Sequence, residues 1–130
     1  MVNIAVLVDG KVIGAIAFSD ARYAVASTSI YMMTDFAVRP TKYRRLSKLV
    51  LAAALSKEIK AYLEQVFSKK IDTIITTAFT QKAVSMKYRG LFDLYNRKEG
   101  MLNYTAEAGR WSLGEGLKWW LEKHSHKLKN

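Results

Sequence analysis

The segment from Ser29 to Phe79, SIYMMTDFAVRPTKYRRLSKLVLAAALSKEIKAYLEQVFSKKIDTIITTAF, decides the fold. Its first part, Ser29 to Val38, reads as a strand, stopped at Arg39-Pro40 because proline has no N–H to give to a ladder. Its middle, from Arg45 to Phe67, carries apolar residues at Leu46, Leu49, Val50, Ala53, Leu55, Ile59, Tyr62, Leu63 and Val66, the length and spacing of one helix. That apolar stripe moves sideways midway, so the helix is expected to meet the core along more than one face. Ser68-Lys69-Lys70 closes it with cations at the negative end of the helix dipole. The last part, Ile71 to Phe79, is β-branched nearly throughout and does not alternate cleanly, which suits a strand covered on both faces. A strand, a helix and a buried strand in this order make a crossover between parallel neighbours.

Working outward, Ile4–Val8 and Lys11–Phe18 flank Asp9-Gly10, the two-residue turn that favours positive φ, and are expected to form a hairpin. Beyond Phe79, Gln81 to Tyr88 reads as a short helix broken by Arg89-Gly90, and Leu91 to Arg97 as a strand. Met101 to Trp111 is compatible with either a strand or a loop. A final helix opens at a Ser112/Glu115 capping box. On that helix Leu113, Leu117, Trp120 and Leu121 share a face, and Trp119 points well away from it. The expected architecture is α+β: a mixed, mostly antiparallel sheet with a central parallel strand–helix–strand crossover and an added C-terminal helix. One domain is expected over residues 1–130, with 111–130 as a helical extension.

Composition narrows the chemistry. The 130 residues contain no cysteine, which removes disulfides, thiolate metal sites and a Cys nucleophile. The two histidines, His124 and His126, sit in the terminal tail, so neither a metal site nor a Ser-His triad is expected. The apolar opening is interrupted by Asp9 and Lys11 and has no basic leader, and the run Leu49–Leu55 is too short to span a bilayer. A cytoplasmic protein without a membrane partner is the expectation. Twenty-one Lys and Arg against eleven Asp and Glu give a net charge of +10, which favours polyanions such as nucleic acid or the phosphates of CoA.

Five of those cations, Arg39, Lys42, Arg44, Arg45 and Lys48, lie between the carboxyl end of a strand and the first turn of a helix. Free backbone N–H groups and the helix dipole attract anions there. A solvated helix start ordinarily favours Asp or Glu in that turn, and the inverted preference points to a bound anion such as a pyrophosphate. A second constellation follows the buried strand, where Thr76 to Thr80 precede Ser85 and Tyr88. Tyr88 can hold its hydroxyl as a general acid over the gap where two parallel strands part, or sit in the core bonded to a backbone carbonyl. Asp35, inside the third strand, can accept a proton from an amine or pair with an arginine. Trp119 can stack on a base or pack against another segment or a second subunit, the latter giving a homodimer.

From Ile4 to Asn96 this layout resembles the GNAT N-acetyltransferase superfamily. There the strand before the crossover helix ends in a V-x-P segment, matched by Val38-Arg39-Pro40. The following loop carries [Q/R]-x-x-G-x-[G/A] for the CoA pyrophosphate, matched by Arg44-Arg45-Leu46-Ser47-Lys48-Leu49. The arginine is kept, while Ser47 and Leu49 replace glycines that let backbone amides approach the phosphates. The superfamily's Tyr followed by Gly-Phe is approximated by Tyr88-Arg89-Gly90-Leu91-Phe92, with one extra residue.

Within that superfamily, RLSKL, TTAF and YRG are most similar to the phage Mom-like proteins. These are small basic proteins that place a carbamoylmethyl group on adenine N6 in DNA and so evade restriction. The resemblance implies an acetyl-CoA or related acyl donor held by Val38, Arg44, Arg45, Leu46, Ser47 and Lys48. It implies a reaction centre of Thr77, Ser85 and Tyr88, with Asp35 as proton acceptor, and double-stranded DNA tracked by Lys42, Lys82, Lys87 and Arg89. It also implies a chain that starts at the superfamily's second strand, leaving a substrate face open enough for a macromolecule. Two rivals remain: an acetyl-CoA-dependent N-acetyltransferase acting on a protein or small amine, and a non-catalytic DNA-binding module.

Overall fold

Ile16, Phe18, Ile30, Met32, Ile74, Leu102, Tyr104 and Ala106 come from four strands, share one face of a sheet by register, and are all buried. The computed structural model describes residues 1–8, 10–20, 28–35, 46–78, 90–98 and 101–128. The expected hairpin is β1 (Val2–Val8) with β2 (Lys11–Asp20), antiparallel and joined at Asp9-Gly10. Gly10 has φ 77, the left-handed conformation that a tight hairpin turn requires and glycine adopts without a Cβ clash. β3 (Ser29–Asp35) adds antiparallel to β2.

Two helices, α1 (Leu46–Ala54) and α2 (Lys57–Phe67), then lead to β4 (Thr73–Ala78), which lies parallel to β3. β5 (Asp93–Lys98) and β6 (Met101–Glu107) form a second hairpin that folds back, so β6 rather than β5 lies beside β4. The six strands stand in the order β1-β2-β3-β4-β6-β5. A final helix, α3 (Leu113–Leu128), packs on α1. This is the mixed α+β sheet with one parallel crossover that the Ser29–Phe79 pattern implies. Met101–Trp111, which the residue pattern left between strand and loop, supplies β6, with Leu102, Tyr104 and Ala106 buried in strict alternation. The short helix expected over Gln81–Tyr88 lies outside the described residues.

The single helix expected from Arg45 to Phe67 is instead two. Ser56 ends the first and caps the second: its backbone is extended (φ −79, ψ 156), and its Oγ accepts the Ile59 N–H at 3.2 Å. A strand-like segment holds the break open. Arg110 N–H donates to Leu55 O at 3.0 Å and Lys57 N–H donates to Trp111 O at 2.8 Å, with Ser56 bridged to Trp111. Backbone groups that a continuous helix would use internally are bonded to a partner from the far end of the chain. The sideways step in the apolar stripe is the sequence trace of this break. α2 ends at Ser68, a left-handed C-cap at φ 51 whose N–H bonds Glu64 O. Lys69 does not serve the helix dipole. Its Nζ donates to Asp20 Oδ1 at 2.8 Å and to Ser29 O at 2.7 Å, tying the helix end to β2 and β3.

α3 is also turned from its expected setting. Its capping box is present: Glu115 N–H donates to Ser112 Oγ and Ser112 N–H donates to Glu115 Oε1, both at 3.1 Å. Leu113, Leu117 and Leu121 of the expected core face are each more than 40% exposed, and of that set only Trp120 is buried. Gly116 and half-buried Trp119 face inward with it. Trp111 explains the rotation. Its Nε1–H donates to Ala52 O at 2.8 Å, Trp119 stacks against it at 5.4 Å between ring centroids, and a Cβ on Gly116 would come within 3.0 Å of Nε1. Among the described residues no helix is long and apolar enough to cross a membrane.

Replacing Ser56 by Ala leaves the Ile59 N–H without its buried acceptor. The variant is expected to lose about 1–2 kcal/mol of stability in urea denaturation while keeping the native circular dichroism spectrum. Glu115 gives a pH signature. The Ser112 backbone N–H and hydroxyl hold its carboxyl below the usual carboxylate range, with Lys57 adding to this. A depressed folded-state value contributes stability above the unfolded value, and that contribution is lost as pH falls through the folded value. Comparing thermal unfolding of wild type and Glu115→Gln from about pH 6 down to pH 3 is expected to show the wild type losing more of its stability on acidification.

Candidate functional site

β3 and β4 pair through only three residues each, Ser29–Tyr31 with Thr73–Ile75. Beyond that point β3 stays with β2, from Met32↔Phe18 to Asp35↔Ala15, while β4 stays with β6 as far as Ala78↔Leu102. The two parallel strands therefore part toward their carboxyl ends. From Met32 and Thr76 onward, the facing backbone edges are not laddered to each other. An open edge of this kind can accept main-chain-like amide groups from a ligand, as any sheet edge can.

The crossover topology brings the amino end of α1 to the same end of the sheet, because a helix returning from β3 to β4 starts where β3 finishes. The first turn of α1 contains Leu46, Ser47 and half-buried Lys48, and no acidic residue. The positive dipole end of a helix whose first turn carries no acid suits an anion. The opening between the strands and the helix start lie at one end of the fold.

A polar chain crosses the sheet at this opening, on the face away from α1 and α2. Tyr31 pairs with Ile75, so Thr77, two residues further along β4, shares its face, and Asn103 of β6 lies directly opposite Thr77. Tyr31 Oη is hydrogen-bonded to Thr77 Oγ1, which donates to Asn103 Oδ1 at 2.8 Å. All three side chains are half-buried. Met33, the next residue on that face of β3, is 51% exposed, so the surface beside Tyr31 is open among the described residues.

The sequence-predicted residues divide as follows. Thr77 is in the polar chain. Asp35 is the last residue of β3, on the β2 side of the parting. Leu46, Ser47 and Lys48 form the first turn of α1. Val38, Lys42, Arg44, Arg45, Lys82, Ser85, Lys87, Tyr88 and Arg89 lie outside the described residues. Sequence reasoning missed Tyr31 and Asn103. A trace of Asn103 was present, since it alternates with Leu102 and Tyr104 and so takes the opposite face. Tyr31 has no such mark, because only the β3–β4 register brings it to Thr77.

An apolar cavity of about 260 Å³ lies elsewhere, between the β1–β2 hairpin and the helices, lined by Ile4, Leu7, Phe18, Val50, Ala53 and Ile59 among others. Among the described residues its lining has no ionisable side chain. Among the described residues no group of His, Asp or Glu is placed to hold a metal ion.

A parallel pair that parts toward its carboxyl ends within a mixed sheet, with a helical crossover between its strands, is the architecture of the GNAT fold. The solved structures agree. The chain is similar to the Campylobacter jejuni N-acetyltransferase PseH in complex with acetyl coenzyme A and to the same enzyme without it. Each likeness has 15% identity and a TM-score of 0.52, and covers 81% of this chain and 66% of the enzyme's. The chain thus spans just under two thirds of PseH. No curated protein matches it by sequence. Residues 1–125 match the family model for the phage GNAT-like domain, and the chain belongs to that family.

Removing the centre of the polar chain has a measurable cost. Thr77→Val leaves the Tyr31 hydroxyl and the Asn103 carbonyl without their shared partner, and is expected to lower stability by about 1–2 kcal/mol in urea denaturation.

Proposed function

We propose that this chain is a phage-encoded transferase that takes a group from an acetyl-CoA-like donor and places it on an amine, the acceptor being N6 of adenine in double-stranded DNA. The observation that carries the transferase part is the parting of β3 from β4 beside a helix start whose first turn holds Lys48 and no acid. Backbone amides at the parting suit the amide-bearing arm of such a donor, and Lys48, Ser47, Leu46, Arg45, Arg44 and Val38 suit its phosphates. The donor's chemistry is an activated thioester. The protein's part is to bind it, exclude water and hold the amine in line with it.

The net charge of +10 favours DNA as the acceptor, since phosphate neutralisation dominates affinity for nucleic acid. Adenine N6 is a poorly nucleophilic amine whose pairing edge is occupied in a duplex, so the base has to leave the stack, at a few kcal/mol. Lys42, Lys82, Lys87 and Arg89 are assigned to the flanking phosphates, Tyr88, Ser85, Thr77 and Asp35 to the reacting groups. Acyl transfer from a thioester joins the amine to the acyl carbonyl and releases the thiol; the Mom-like product, carbamoylmethyladenine, is joined through a methylene carbon and calls for a donor of other chemistry on the same scaffold. The second reading is an acetyl-CoA-dependent N-acetyltransferase of a protein or small amine. The PseH likeness favours it, because PseH is an N-acetyltransferase whose structure holds acetyl coenzyme A.

Nucleosides from plasmid DNA of cells expressing the protein separate the two readings. The DNA reading expects a heavier deoxyadenosine by mass spectrometry that Arg45→Ala and Tyr88→Phe abolish. An unmodified digest alongside amine acetylation by the purified protein transfers the assignment to the second reading. For donor binding, Lys48→Ala is expected to weaken acetyl-CoA affinity about tenfold by calorimetry, the size of one charge-assisted hydrogen bond.

A further inference from the structure

The bonding order in the Tyr31–Thr77–Asn103 chain constrains what can sit next to it. Asn103 offers its carbonyl oxygen, so Thr77 donates its only hydroxyl proton there. Thr77 Oγ1 is then left with lone pairs, and Tyr31 must be the donor in the bond between them. The phenolic proton is thereby committed inward. What Tyr31 presents outward is an oxygen lone pair, which can only accept.

The geometry points to Tyr31 as the group that receives an N–H of the acceptor amine at the parting of β3 and β4, with Thr77 and Asn103 fixing its polarity. This rests on the transferase reading above and adds to it a residue and a role. An acceptor at this place favours an uncharged amino group, whose N–H bonds the phenol while its lone pair stays available for attack. Thr77 gives its proton to an amide oxygen, which does not hold a proton at neutral pH. Tyr31 therefore orients the nucleophile and does not deprotonate it. Exposed Met33 on the same face leaves room for the amine to approach.

Two measurements test this. In protein labelled with ¹³C at tyrosine Cζ, the Tyr31 resonance is assigned by its absence from Tyr31→Phe. Loss of the inward acceptor in Thr77→Val is expected to move it upfield. A resonance that stays or moves downfield overturns the bonding order and the proposal with it. In the second measurement, Tyr31→Phe is expected to bind acetyl-CoA within twofold of wild type by calorimetry. Its rate of transfer to the amine that wild type modifies is expected to fall roughly 10- to 100-fold. Wild-type transfer by Tyr31→Phe overturns the role of Tyr31 and leaves the transferase reading standing. Wild-type protein that binds no acetyl-CoA and modifies no amine overturns the transferase reading, and the role of Tyr31 falls with it.

Discussion

The fold turns on a competition for strand edges. β3 has β2 on one side and β4 on the other, and β4 has β3 and β6. Each keeps its antiparallel partner along nearly its whole length and keeps its parallel partner for three residues. Antiparallel pairing is slightly more stable per residue than parallel pairing, and β3 and β4 are joined only through two helices and their loops. The sheet's right-handed twist adds to the divergence of strands not held together. The opening that results is lined by backbone groups not bonded across it. It is a consequence of topology, and it needs no special residue in β3 or β4.

Everything else that shapes the site is arranged around keeping that opening at the right end. The crossover must return a helix start to the carboxyl ends of β3 and β4, and it does so with a helix broken at Ser56. The break is held by a segment nearly sixty residues later, where Arg110 and Trp111 bond the backbone on either side of it. Trp111 also bonds Ala52 and stacks on Trp119, so the same short segment places α1 and docks α3. Arg110 lies 4.8 Å over the Trp111 ring and Lys123 lies 5.2 Å over Trp119, giving a ladder of cation and aromatic groups along this seam. Long-range contacts of this kind leave α1 with little freedom to drift from the parting.

The functional reading rests on two scales of charge. A net charge of +10 favours polyanions in general without choosing among them. In the proposed function the amino end of α1, with no acid in its first turn, takes the donor's phosphate. The polar chain from Tyr31 to Asn103 is uncharged and acts only at hydrogen-bond range, so its part is orientation.

The sequence by itself determined the elements whose signals are local. Asp9-Gly10 between alternating apolar runs could only make a tight hairpin, Ser112 and Glu115 could satisfy each other's backbone N–H groups within one turn, and a strand, helix and β-branched strand in succession entailed a parallel crossover. The basic run before Leu46 inverts the charge preference of a helix start, and it lies outside the described residues. The tertiary structure alone decided what depends on partners distant in the chain. The break at Leu55–Ser56 is marked locally by the capping serine and the step in the apolar stripe, but it is Arg110 and Trp111, taking its backbone groups, that hold it open. Leu113, Leu117 and Leu121 gave up the core to Gly116, Trp119 and Trp120, because Trp111 sets the depth and rotation of α3. Tyr31 meets Thr77 and Asn103 because register, a property of three strands together, places residues 31, 77 and 103 on one face of the sheet.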